Sequence, residues 1–122
     1  MSKLPILIIG SNPRNLELLS QFLGKEGYET RSANTLEQFA EMLGSAEGLG
    51  LALVDITGFD RSIWQHCERC SELDIPLFVI SAPQPQRNQH EGLSHGAHGV
   101  LFKPLVVREL IHLVKTMSLE NG

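Results

Sequence analysis

The sequence predicts an α/β domain in which a five-stranded parallel sheet is covered by helices on both faces, a three-layer sandwich. Three observations carry this. Leu51-Ala52-Leu53-Val54 is apolar at every position, as a strand buried on both faces must be, and it ends in the carboxylate of Asp55. Segments of this kind alternate five times with segments whose apolar residues recur at helical spacing, and crossovers of that length join parallel strands with right-handed connections. The 122 residues suffice for one domain with a proper core and are too few for two, so 1–122 reads as a single domain.

Leu4 to Ile9 is the first buried strand, with Pro5 near its start, where a missing N–H does least harm. Gly10-Ser11 turns the chain. Asn12 then caps a helix with Pro13 at its first position; Leu16, Leu19 and Leu23 line one face, and Gly24 and Gly27 stop it. Tyr28 to Ser32 is a short second strand whose alternating Glu29 and Arg31 place it near a sheet edge. Asn34 or Thr35 caps the next helix, since Glu37 or Gln38 stands three residues on, and Leu36, Phe39, Ala40 and Leu43 give it an apolar stripe before Gly44.

After the central strand, a third helix runs from Arg61 to Leu73 with Ile63, Cys67 and Cys70 on one stripe. Pro76 to Ile80 is the fourth buried strand, followed by Ser81. Pro83 and Pro85 keep the next stretch out of a helix, and Gly92 with few apolar neighbours leaves only a short one between Arg87 and His95. Val100-Leu101-Phe102 is the fifth strand, closed by Lys103-Pro104. Val106, Leu110, Leu113, Val114 and Met117 share one face of the last helix.

Composition excludes several classes. A net charge of −4 gives no footprint for nucleic acid or an anionic membrane, and no stretch approaches the ~20 apolar residues of a membrane span. The chain reads as cytoplasmic. Two cysteines are too few for a disulfide framework; Cys67-Glu68-Arg69-Cys70 has the spacing of a redox dithiol but lies inside a helix rather than at its N-terminus, so buried core thiols are expected. His90, His95 and His98, with His66 or His112 nearby, match no zinc spacing and read as solvent-exposed imidazoles. Glycine patterns for dinucleotides and nucleoside triphosphates are absent, as is a Gly-x-Ser-x-Gly elbow.

In open α/β sheets chemistry sits at the carboxyl ends of the strands, where this chain carries Asp55, Ser81 and Lys103-Pro104. From Ile6 to Met117 the pattern resembles the receiver domain of bacterial two-component response regulators, a flavodoxin-like (CheY-like) fold. The resemblance implies that Asp55 stands where the family's phospho-acceptor stands, that Ser81 and Lys103 occupy the phosphoryl-contacting positions, and that Pro104 follows a cis peptide bond. Phosphoryl transfer to a carboxylate needs a nucleophilic oxygen, a neutralising cation and aimed donors, which these residue types supply.

The chain also departs from the family. Gly10 and Ser11 replace the acidic pair that holds Mg²⁺, Gly58-Phe59 replaces a Met-Pro pair, and Val100 replaces the aromatic residue that rotates on activation. A hard cation without those carboxylates binds weakly or not at all, so no cofactor is expected. The departures point to a pseudo-receiver acting through contact with a histidine kinase or output domain, or with a second copy through the last helix. The alternative is a working phospho-acceptor modified on Asp55. In neither case is an enzyme expected beyond slow self-phosphorylation and dephosphorylation. A plainer reading makes Asp55 and Lys103 a structural ion pair and Ser81 a turn residue.

Overall fold

Successive side chains of a strand point to opposite faces of a sheet, and in the three central strands both faces are buried. The computed structural model describes residues 5–45, 48–82 and 91–121. In chain order it contains β1 (Ile6–Ile9), α1 (Pro13–Lys25), β2 (Thr30–Ala33), α2 (Leu36–Gly44), β3 (Leu51–Asp55), α3 (Ile63–Glu72), β4 (Leu77–Ser81), β5 (Gly99–Phe102) and α4 (Val107–Asn121). Residues 91–94 are helical as well. The strands pair in parallel in the order β2-β1-β3-β4-β5. Among the described residues, no helix is long and apolar enough to cross a membrane.

Two cores follow from the alternation. Leu7, Ile9, Ala52, Val54, Leu77 and Val79 face α2 and α3, where Phe39, Leu43, Ile63 and Cys67 meet them. Ile6, Ile8, Leu51, Leu53, Phe78 and Ile80 face the other way, toward Leu16 and Leu23 of α1 and Leu110 and Val114 of α4. Caps fix where the helices begin. Asn12 accepts from the N–H groups of Arg14 and Asn15 at 3.0 and 3.3 Å, and Thr35 accepts from Gln38 while the Gln38 side chain accepts from the N–H of Asn34.

Three boundaries differ from expectation. β2 starts at Thr30 because Gly27, at φ +88°, ends α1 and drops Tyr28 into the core beside Leu23. α3 starts at Ile63 because Asp60 holds an Asx turn, accepting from the hydroxyl and the N–H of Ser62; these hydrogen bonds hold the Asp60 carboxyl below the usual range. β5 starts at Gly99, where the Phe78 ring stands 3.0 Å from the position a Cβ would take.

The imidazoles correct a further expectation. His98 and His112 are exposed, but His95 stacks on Trp64 at 5.1 Å and meets Glu68 at 2.6 Å, and His66 stacks on Phe39. Among the described residues no three His, Cys, Asp or Glu side chains group as a metal site. His90, the run Pro83 to Gln86 and the start of the first strand at Leu4 lie outside the described residues.

Cys67 and Cys70 are buried in the α3 stripe, and burial pushes both thiols up to about 12. They therefore stay protonated at about pH 8. A thiol reagent is expected to modify them only as fast as the chain unfolds. Native-state modification at the rate of a free cysteine, without denaturant, contradicts this packing.

Candidate functional site

The chain reverses its direction of travel across the sheet between β1 and β3, and that switch point leaves a crevice at the strands' carboxyl ends. Asp55 ends β3 there, beside Gly10, from which a Cβ would lie 3.6 Å from the Asp55 Cβ. β4 is next in the sheet. Its last residue, Ser81, is buried, donates its hydroxyl to the Ala82 carbonyl at 3.0 Å, and accepts the Lys103 N–H on its own carbonyl at 2.9 Å. That backbone bond anchors Lys103 just past β5, and the Lys103–Pro104 peptide is cis.

From this anchor the Lys103 side chain crosses the end of β4 to Asp55, with Nζ 2.7 Å from Oδ2. The other carboxylate oxygen, Oδ1, accepts the N–H of Thr57 at 3.0 Å. The Asp55 side chain is 19% exposed and that of Lys103 32%, so the pair is only partly screened by water. The structure thus joins Asp55 to Lys103 directly and places Ser81 beneath the lysine through the backbone.

Sequence reasoning missed Thr57. Its N–H holds Asp55, its hydroxyl accepts from Lys103 Nζ at 3.3 Å, and its carbonyl accepts the Ser11 hydroxyl at 2.8 Å. The signal was available: an aspartate accepting from the N–H two residues on is an Asx turn. Gly58, at φ +87°, completes it, because a Cβ there would collide with Ser11 Oγ and lie 3.0 Å from Ser11 Cβ. Ser11 therefore seats the loop after β3 against the end of β1. Val100 lies partly buried against the α2–α3 core, so close to the helical turn that a Cβ on Gly92 would come within 2.6 Å of it.

Comparison with known proteins agrees with this fold. Residues 6–115 match the family model described as the response regulator receiver domain. The chain belongs to that family. This receiver domain is 30% identical over 118 residues to the transcriptional regulatory protein AruR of Pseudomonas aeruginosa, covering 92% of this chain and 48% of that protein. It is 25% identical over 112 residues to the heme response regulator HssR of Staphylococcus saprophyticus, covering 91% and 50%. The chain thus spans about half the length of these two relatives. A receiver domain protein (CheY-like) from Methanospirillum hungatei superposes with a TM-score of 0.86 at 26% identity, over 98% of this chain and 96% of that one.

Two substitutions test the site. Gly58→Ala is expected to destabilise the receiver domain by about 1–2 kcal/mol through its left-handed backbone alone, with a further loss from the clash that Ser11→Gly in the same chain restores; a double-mutant cycle in urea reads both parts. Lys103→Met is expected to lower stability at neutral pH by roughly 1–2 kcal/mol, because it strands a partly buried carboxylate. Asp55→Asn should cost less, since the lysine can reach water. Equal, negligible shifts in the urea midpoint for both variants would mean that the two groups are solvated separately.

Proposed function

We propose that this receiver domain of two-component signalling is an atypical one, which holds its acceptor-position aspartate through its own lysine and loop and acts through protein contact. One observation carries the reading: each oxygen of Asp55 has a partner within the chain, Lys103 at 2.7 Å and the Thr57 N–H at 3.0 Å, while Gly10 and Ser11 bring no carboxylate to the crevice. In a receiver with three carboxylates in one pocket, the like charges repel by roughly 3 kcal/mol per pair at ~5 Å and an effective dielectric near 20, and a cation must offset this. Here the repulsion is absent, and the ammonium of Lys103 supplies the neutralising charge.

The residues present do not fit a resident Mg²⁺. A hard divalent ion holds its place through carboxylates and water; among the described residues Asp55 alone brings a carboxylate to the crevice and it is already paired, and the Ser11 hydroxyl is donated to Thr57. Receiver domains work with histidine kinases and output domains, and such a protein is the partner class proposed for this chain. Arg108, His112 and Lys115 lie exposed on α4, which suits that helix to contact a partner or a second copy.

A working phospho-acceptor is favoured by one feature, the partial exposure of Asp55 at the strand end. Intact-mass measurement after treatment with acetyl phosphate, with and without Mg²⁺, separates the two readings. No phosphoryl adduct, or a trace indifferent to Mg²⁺, is expected. A stoichiometric, Mg²⁺-dependent adduct that disappears in Asp55→Asn would establish the phospho-acceptor.

A further inference from the structure

Between α1 and α4 the helical layer leaves a cleft of about 720 Å³. Its lining includes the core side chains Leu16, Ile80 and Leu110, and its rim includes Leu18, Phe22 and Val107, which are 45%, 41% and 36% exposed. Three such side chains around one hollow form an apolar patch of the kind that marks a binding site. At the carboxyl edge of the sheet the cleft reaches Asp55 and Lys103.

We propose that this cleft binds a small uncharged molecule, mostly hydrocarbon or aromatic, with at most one neutral hydrogen-bonding group. The proposal goes beyond the signalling reading and stands whether or not Asp55 accepts a phosphoryl group. Size is the first argument, since the volume lies within the roughly 300–1,000 Å³ of small-molecule sites. Shape is the second: the hollow reaches residues of the buried core, so a compact body fills it and displaces water from apolar walls.

Charge decides the ligand class. Among the described residues, the charged ones that line the cleft are Asp55 and Lys103, and they are already paired at 2.7 Å. A charged ligand would have to strip one of them from the other or sit unpaired against hydrocarbon, and either is costly. Asn15, which also lines the cleft, is a neutral residue able to hydrogen-bond.

The test uses two dyes with the same aromatic body. N-phenyl-1-naphthylamine is neutral, and 1-anilinonaphthalene-8-sulfonate carries a sulfonate; both brighten in apolar surroundings. The neutral dye is expected to bind the folded chain saturably at one site, and the sulfonate roughly ten-fold or more weakly. Val107→Trp, at the exposed start of α4, should fill the hollow and abolish binding of the neutral dye; Leu18→Trp on the opposite wall should do the same. Leu73→Gln, which removes an exposed apolar residue elsewhere, should leave binding unchanged. Circular dichroism identifies any variant that fails to fold. Equal or tighter binding of the sulfonate overturns the proposal, as does binding indifferent to both tryptophans. Self-association of the chain that Val107→Trp dissolves also overturns it, by showing that a second copy covers the cleft.

Discussion

Asp55 ends β3 and Lys103 follows β5, two strands that are not neighbours. β4 stands between them, so two strand spacings, roughly 10 Å, separate their backbones, and only a long side chain closes that gap. The contact therefore depends on the whole sheet: on β4 bringing Ser81 to the same height, on the Ser81 carbonyl fixing the Lys103 N–H, and on the Asx turn at Thr57 aiming the carboxylate. It also depends on a loop that closes only because Ser11 and Gly58 fit together. A single ion pair thus reports on β3, β4, β5 and the end of β1 at once.

A second departure lies at Val100, away from the ion pair. In the family that the sequence resembles, an aromatic side chain at the position of Val100 rotates on activation. Here a β-branched valine, stiff at χ1, is packed beside Gly92, and the aromatic contacts of this region lie elsewhere, where Trp64 stacks on His95 and ties α3 to the turn before β5. The proposed atypical receiver therefore has an aliphatic side chain where the family's rotor would stand.

Much of this was legible in the sequence. Strands with a run of apolar residues, such as Leu51 to Val54, and caps with a reciprocal partner, such as Thr35 with Gln38, announce themselves because one local rule decides each. The order of strand-end residues placed Asp55, Ser81 and Lys103 along one edge. Contacts set by tertiary geometry stayed hidden. Nothing local shows that Tyr28 leaves the strand for the core, that His95 finds Glu68 across a seam, or that the Ser11 hydroxyl reaches a carbonyl 46 residues away. Thr57 is different: the Asx turn that seats its N–H on Asp55 is local, but its contacts with Lys103 and Ser11 span 46 residues each and leave no mark in the sequence.

The central claim is that Lys103 takes the place of a metal ion at Asp55. A ligand that binds the folded chain alone raises its stability by mass action, so the most direct measurement is the urea midpoint of the chain as millimolar MgCl₂ replaces NaCl at constant ionic strength, which holds screening fixed. The account predicts a midpoint that does not move. A midpoint that climbs with Mg²⁺, and ceases to climb in Asp55→Asn, would contradict it.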